Sequence, residues 1–345
     1  MRLTTARAGV LAVALACAAF GACAGDYVLK RRIPLGGGDG WDYLTYEPTS
    51  NRLFITRATR VQVVNPDTGA VIAEIQDAPG VHGVALATAL GKGYTSNGRD
   101  DSISVFDLNT LRVIKQVGTP DGKNPDFIIY EAVSKRVLAF NARSHNASVI
   151  DAATDTLVAS ITLNGKPEAA VVDGHGSVFV DIEDTGEVSA IDAASAKVTR
   201  TMQLDGCTEP AGLGMDPERR RLFVGCRNKT MLIIDADRGT KMASVPIGEG
   251  VDATVFDVAT ERVYSSQSDG TLTVVTAQAN GTFGVLQTAE TQAGARTMAV
   301  NPINHDIYLV SAEFDEPAAS ASAPKARKTI KPGTVVLLVM HQPLR

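Results

Sequence analysis

The sequence predicts an all-β fold, a seven-bladed β-propeller of four-stranded blades, and two repeated patterns support this prediction. A short strand of β-branched or aromatic residues recurs seven times, with its large side chain at positions 54, 94, 138, 179, 223, 264 and 308. Successive copies are 40, 44, 41, 44, 41 and 44 residues apart. After most copies comes an alternating strand that ends in Asp or Asn and a turn, as in Ser-Val-Phe-Asp at 104–107. A unit of about 40–45 residues with four short strands is the blade of a propeller.

The two ends of the chain are expected to complete one blade together. The last repeat contains three strand patterns and stops at Arg345 without a fourth. Residues 27–34, near the other end, have the pattern of a fourth strand. Pairing the two ends closes the ring and removes a free sheet edge. The sequence therefore predicts one propeller domain over residues 25–345, with the last blade closed by the N-terminal strand.

Composition and charge agree with one large folded domain. The chain has 345 residues, of which 44% are hydrophobic, and 38 acidic against 33 basic side chains leave a net charge of −5. This is too hydrophobic and too weakly charged for a disordered chain. An isoelectric point near 5.6 lacks the basic excess of nucleic-acid binders, so we expect no nucleic-acid partner.

The N-terminus has the pattern of a secretory leader. Two arginines precede an apolar stretch at 8–20, and an Ala-Cys-Ala cleavage site follows at 22–24. This predicts a signal peptide over residues 1–24, and a periplasmic or secreted protein. No later segment reaches the ~20 apolar residues of a transmembrane helix. The alternative is a lipoprotein signal, with Cys17 or Cys23 as the acylated residue.

Two cysteines remain beyond the predicted leader. Cys207 and Cys226 flank a hairpin pattern whose turn falls at 216–219, so both return to the same end of that hairpin. In an oxidising compartment this predicts a structural disulfide. A redox or metal-binding pair is the alternative, but the two cysteines lack the neighbouring histidines of a zinc set.

The repeats also carry a family resemblance. Tyr94-Thr95-Ser96-Asn97 stands where a YVTN tetrapeptide falls, and several loops between repeats contain proline. The chain in this respect resembles the YVTN-repeat (YncE-like) β-propellers over its whole mature length. The resemblance implies a propeller that is exported or surface-associated. It implies no particular reaction, because many such proteins have no assigned activity.

A ring of polar residues is predicted at one mouth of the central channel. The loop that leads into each innermost strand of a propeller opens onto this channel. Counting back from the large side chain of each repeat, by 12 residues in six repeats and by 11 in one, gives the residue at that position. The seven residues are Asp42, His82, Asp126, Glu168, Ala211, Asp252 and Arg296.

This ring has two interpretations. It is either a solvated channel mouth whose polar groups water satisfies, or a binding site for a ligand or cation. The carboxylates of Asp42, Asp126, Glu168 and Asp252 are candidate ligands of a hard cation such as Ca²⁺. Arg296 could pair with these acids or hold the carboxylate of a polar ligand. Apart from this possible calcium site, the sequence implies no cofactor.

Two further features border the predicted mouth. Trp41 precedes the ring position of the first repeat, where it could stack on a ligand at the rim or pack in the core. The last repeat carries an insertion at 313–332, rich in Ala, Ser and Pro, with basic residues at 325, 327, 328 and 331. This composition predicts a flexible segment over the channel face. It could be a lid, a partner-binding arm or an insertion without function.

Catalytic motifs are absent from the sequence. It contains no C-x-x-C-H haem motif, H-E-x-x-H, P-loop or G-x-S-x-G. Five scattered histidines cannot build a multi-copper centre.

Two functions follow as hypotheses. The first is an exported, monomeric, non-enzymatic scaffold that binds a protein partner or a small polar ligand through its channel face. The alternative is a lactonase-like hydrolase in which a divalent cation at the ring acts as Lewis acid. His82 would then be a general base and Arg296 an oxyanion clamp. The sequence identifies no catalytic residue, and it leaves the enzyme question open.

Overall fold

The computed structural model describes residues 25–278, 280–315 and 329–343. The leader predicted at residues 1–24 and the middle of the predicted insertion, residues 316–328, lie outside this part of the chain. Within the described ranges, no helix combines the length and the hydrophobicity that crossing a membrane requires.

Seven antiparallel four-stranded sheets confirm the predicted propeller. The innermost strands of blades 1 to 7 are β2 (Leu44–Glu47), β6 (Val81–Ala87), β10 (Pro125–Glu131), β14 (Pro167–Val172), β18 (Pro210–Asp216), β22 (Val251–Asp257) and β26 (Met298–Val300). The second strands are β3 (Arg52–Arg57), β7 (Lys92–Asn97), β11 (Arg136–Asn141), β15 (Ser177–Ile182), β19 (Arg221–Cys226), β23 (Arg262–Gln267) and β27 (Ile307–Ser311). The third strands are β4 (Arg60–Val64), β8 (Ser102–Asp107), β12 (Asn146–Asp151), β16 (Glu187–Asp192), β20 (Thr230–Asp235), β24 (Thr271–Ala277) and β30 (Val336–His341). The outermost strands are β5 (Val71–Ile75), β9 (Val113–Gly118), β13 (Thr156–Thr162), β17 (Lys197–Gln203), β21 (Lys241–Pro246), β25 (Phe283–Glu290) and β1 (Val28–Pro34). A single turn of 3₁₀ helix lies at Thr88–Leu90.

The predicted closure of the last blade is also confirmed. Strand β1 pairs antiparallel with β30, so this sheet has the order β26, β27, β30, β1. A strand from one end of the chain thus completes a sheet built at the other end. This pairing leaves the blade without the open edge that its three C-terminal strands would otherwise present.

The large side chains of the sequence repeat form the core between blades. They lie on the second strands, and side chains such as Phe54, Tyr94 and Phe223 are at most 2% exposed. Phe223 stacks on Phe256 of the next blade, with 5.4 Å between ring centroids. The repeat persists in the sequence because every blade needs the same kind of side chain to fill the space against its neighbour.

Cys207 and Cys226 are joined by a disulfide at the mouth end of blade 5, with 5.4 Å between their Cα atoms. Cys226 is the last residue of β19, and Cys207 lies in the loop that leads into β18. The bond therefore ties the beginning of an innermost strand to the end of its neighbour.

Candidate functional site

The predicted ring residues occupy equivalent positions at the channel mouth. In blades 2 to 6 each is the second residue of the innermost strand, and Asp42 and Arg296 stand two residues before β2 and β26. In those five strands the pairing register with the second strand shifts just after the strand begins. Such β-bulges bend a strand and redirect its side chains. Here they allow side chains from different blades to meet at the mouth.

Blades 1, 2 and 3 contribute a carboxylate–imidazole–carboxylate cluster. His82 Nδ1 lies 2.7 Å from Asp42 Oδ2 and 3.6 Å from Asp126 Oδ1. The other nitrogen of the His82 imidazole, Nε2, lies 3.4 Å from the side-chain amide nitrogen of Asn124. One possible ligand atom from each of Asp42, His82 and Asp126 lies within 4.8 Å of the others.

Arginines connect the opposite part of the mouth. Arg296 donates from Nε to Asp252 Oδ2 over 2.6 Å, and its Nη2 lies 3.9 Å from Asp42 Oδ1. Arg227, from the loop after β19, lies 3.6 Å from the other oxygen of Asp252. It also lies 3.3 Å from Glu183.

Lysine completes the ring at blade 4. Lys166 Nζ lies 2.8 Å from Glu168 Oε2 and also contacts the carboxylate of Glu183. Since Glu183 contacts Arg227, a chain of charged side chains runs around the mouth from blade 4 to blade 3. Ala211 is the one ring position without a polar side chain.

Burial and mutual repulsion perturb the acids of the ring. Burial, with a further contribution from the charge of Asp42, raises the pKa of Asp126 to about 6. Burial and the nearby charge of Asp126 raise the pKa of Glu168 to about 8, although Lys166 opposes this shift. Burial also raises the pKa of Asp252. Burial disfavours the charged form of His82, but Asp42 and Asp126 outweigh it and raise the pKa of that imidazole.

Replacing Glu168 with glutamine is expected to flatten the pH dependence of stability. Folded Glu168 keeps its proton up to about pH 8, whereas the ordinary pKa is 4.5, so rising pH destabilises the wild type between these values. We expect the wild type to lose on the order of 3 kcal/mol relative to Glu168→Gln between pH 4.5 and 8. Urea unfolding across this range measures the difference. The exposed acid Glu209 provides the control, and equal curves for Glu168→Gln and Glu209→Gln would contradict the prediction.

An apolar channel lies below the charged ring. Its cavity has a volume of about 340 Å³ and is lined mainly by aliphatic and aromatic side chains of the innermost strands. A second cavity of about 390 Å³ continues from it at the level of blades 1 to 3. Tyr43 and Phe127 meet edge to face in this lining, with 5.0 Å between ring centroids. Burial, followed by the four ring carboxylates, raises the pKa of Tyr43 well above its ordinary value.

Sequence reasoning missed Tyr43, Phe127 and Lys166. A signal was present in the sequence, because Tyr43 and Phe127 each follow a ring residue directly, and blade 2 has Gly83 in that column. A Cβ on Gly83 would lie 3.0 Å from the side chain of Ile128. The glycine thus allows the strands of blades 2 and 3 to approach closely.

Trp41 lies in the core and not at the open rim. It is 8% exposed and packs in a cluster with residues of blades 1 and 7. Its ring centroid lies 6.3 Å from that of Phe314. Phe314 belongs to a short ribbon at the base of the insertion, in which β28 (Phe314–Asp315) pairs with β29 (Thr329–Ile330). The described ends of the insertion are therefore β-structure held against the loop that contains Trp41.

The four carboxylates proposed as metal ligands do not converge on one point. Asp42 and Asp126 share His82, whereas Glu168 and Asp252 contact Lys166 and Arg296. Calcium takes oxygen ligands, and one donor of the Asp42–His82–Asp126 cluster is an imidazole nitrogen. Imidazole together with carboxylates suits zinc or another transition metal better. The geometry therefore does not support calcium.

The chain matches the cytochrome D1 heme domain family over residues 51–312. Among solved structures, it is similar to a chain of Kuenenia stuttgartiensis hydrazine synthase, with 17% sequence identity and a TM-score of 0.69. That match covers 80% of this chain and 93% of the hydrazine synthase chain. At this identity the likeness shows the fold alone. No curated protein matches the chain. The resemblance to YVTN-repeat propellers stays a prediction.

Histidines of this chain do not offer an axial ligand to a haem in the channel. His82 lies in the charged mouth and is not among the residues that line the cavity, and its Nδ1 is bonded to Asp42. The other four do not line the cavity, because they pair with buried aspartates or lie exposed in turns: His145, His175, His305 and His341.

Other haem ligands do not replace histidine here. Tyr43 keeps its proton because its pKa is raised, and Cys207 and Cys226 are bonded to each other. Methionine serves beside a histidine in cytochromes, and Met215 and Met298 have no such partner among the residues that line the cavity. A 340 Å³ cavity is also near the lower limit for binding pockets. The described residues do not fit a tetrapyrrole, so haem has no part in the function proposed below.

Proposed function

The chain belongs to the cytochrome D1 heme domain family, and from this premise we propose that it is a non-enzymatic binding propeller. Its ligand is a small molecule that enters the channel through the charged mouth. The observation that supports this most is the apolar cavity of about 340 Å³ beneath a ring of charged side chains. Pockets of this kind combine an apolar lining with a few convergent polar groups that orient the ligand.

The arrangement of His82 favours binding over catalysis. A general base needs a ring nitrogen within hydrogen-bond reach of the substrate. Here Asp42 occupies Nδ1, Nε2 lies 3.4 Å from the side-chain amide nitrogen of Asn124, and His82 is not among the residues that line the cavity. Arg296, the other candidate catalytic group, is held by Asp252 over 2.6 Å. Both side chains are positioned by the protein itself and serve to shape and charge the mouth.

Export of the protein is part of the proposal. The leader pattern at residues 1–24 supports it, and so does the disulfide between Cys207 and Cys226, which persists in an oxidising compartment. We place the protein in the periplasm or outside the cell, where it acts as a monomer. A protein partner on the channel face is the other form of the same scaffold hypothesis.

Filling the channel tests the proposal. Ala253 lines the cavity and is partly exposed, so Ala253→Phe is expected to occupy the ligand's space without unfolding the protein. A thermal-shift screen of small polar and amphiphilic molecules should find compounds that raise the melting temperature of the wild type by several degrees. The same compounds should not change the melting temperature of the Ala253→Phe variant. If every stabilising compound acts equally on both proteins, the channel is not the binding site.

A metal-assisted hydrolase is the second candidate, and the Asp42–His82–Asp126 cluster favours it. Two carboxylates and an imidazole could hold a divalent transition metal that acts as Lewis acid. The protein purified without chelator would then contain one metal ion per chain, and EDTA would lower its melting temperature. Asp42→Asn would lose the ion, and a lactone series would identify the substrate. Absence of metal in the wild type, with no effect of EDTA, would eliminate this candidate.

A further inference from the structure

One carboxylate of the mouth lacks a fixed cation. No hydrogen bond from the described residues reaches the side chain of Asp126, and its nearest charged partner is His82 Nδ1 at 3.6 Å. That nitrogen already binds Asp42 over 2.7 Å. The Asp126 side chain is 16% exposed, at the mouth of the channel. Asp126 is therefore a nearly buried acid whose oxygens are available to a ligand.

The mouth as a whole carries excess negative charge. At pH 7 Glu168 keeps its proton, so it adds no charge. The remaining carboxylates outnumber the permanently charged cations by five to three: Asp42, Asp126, Glu183, Glu209 and Asp252 against Lys166, Arg227 and Arg296. A protonated His82 balances at most one of them. This excess negative charge repels an anionic ligand and attracts a cationic one.

Two aromatic side chains of the cavity lining come from the same mouth as the unpaired acid, whose charge acts on Tyr43. Phe127 follows Asp126 in β10, and its ring meets that of Tyr43 edge to face at the top of the cavity lining. Ring faces attract organic cations, and an apolar, partly desolvated setting strengthens this attraction. A bare metal ion would gain nothing from the apolar cavity below. An ammonium group on an apolar body would use the carboxylate, the rings and the cavity together.

We propose that the ligand of the channel is an organic ammonium ion. Its charged head lies at Asp126 beside the Tyr43–Phe127 pair, and its apolar body enters the 340 Å³ cavity. This inference rests on the proposed function, because it assigns a chemical class to the ligand of that same channel. It also assigns Asp126 as the residue that selects the cation.

Three phenyl compounds of similar size test the inference by calorimetric titration in the presence of EDTA. They are 2-phenylethylamine, which is an ammonium ion at pH 7, the neutral 2-phenylethanol and the anionic phenylacetate. The wild type is expected to bind the amine at least tenfold more tightly than the alcohol, and phenylacetate not at all. Added salt should lower the affinity for the amine and leave the affinity for the alcohol unchanged, because only the amine is bound through charge.

Variants at the mouth show which residue causes the preference for the amine. Asp126→Asn should lose the tenfold preference for the amine while keeping its affinity for the alcohol. Asp126→Glu, which retains the charge, and Glu209→Gln, an exposed acid of the same mouth, should keep the preference. Loss of the preference in Glu209→Gln as well would overturn the assignment of Asp126.

The outcomes separate this inference from the proposed function. Equal affinity for amine and alcohol, abolished by Ala253→Phe, would overturn the ammonium inference and leave the channel as a binding site. Tighter binding of phenylacetate than of the amine would also overturn the ammonium inference and leave the channel as a binding site. Binding of none of the three compounds would count against both the ammonium inference and the channel as a site for ligands of this size.

Discussion

Replacing Arg57 with alanine is expected to lower the free energy of unfolding by about 3–5 kcal/mol. The Arg57 side chain is fully buried below the glycine-rich loop at 36–40. It donates to Gln62 Oε1 over 2.9 Å, to the carbonyl oxygen of Gly36 over 2.9 Å and to Asp39 Oδ1 over 2.8 Å. Truncation leaves these acceptors without a donor and opens a cavity beneath the loop. Urea unfolding at pH 7 measures the loss.

Arg60 provides a matched control for Arg57. It binds the other oxygen of the same Asp39 over 2.6 Å, but its side chain is 22% exposed. Because solvent screens such a pair, Arg60→Ala should cost less than about 1 kcal/mol. If both variants lose the same free energy of unfolding, the burial of Arg57 does not add to its contribution to stability. The loop leads directly to Asp42, so Arg57→Ala should also weaken ligand binding at the mouth.

Breaking the Cys207–Cys226 disulfide is expected to lower the free energy of unfolding by about 3 kcal/mol. The intact bond closes a loop of 19 residues and so restricts the unfolded chain. Reduction of the wild type by dithiothreitol should lower the urea midpoint, and the double variant Cys207→Ala/Cys226→Ala should show a similar midpoint with or without reductant. An unchanged midpoint of the wild type after reduction would contradict the prediction.

The propeller itself was predictable because each blade repeats one packing problem. Phe54, Tyr94 and Phe223 fill equivalent spaces between neighbouring blades, and this requirement leaves a periodic trace in the sequence. The closing strand β1 was predictable for a related reason, since one repeat lacked a strand and residues 27–34 supplied its pattern. Both inferences depend only on local patterns and on the need to avoid an open edge.

The candidate site was predictable in position but not in pairing. The innermost strands of blades 2 and 3 carry a β-bulge at the same place, and counting from the large residue leads to Asp42, His82 and Asp126, which lie at one mouth. Partners of these residues came from loops of variable length. Lys166 contacts Glu168 from two residues upstream, whereas Arg227 reaches Asp252 from the neighbouring blade.

Sequence alone thus determined the all-β class, the number of blades, their closure and the ring positions, because a repeat records what each blade needs from the next. Only the tertiary structure decided which ring acids are neutralised and that Asp126 is not, since charge pairing depends on distances of a few ångströms between blades. It also decided that Trp41 packs in the core, because Phe314 reaches it from a ribbon some 270 residues away in the chain, a contact that no local pattern records.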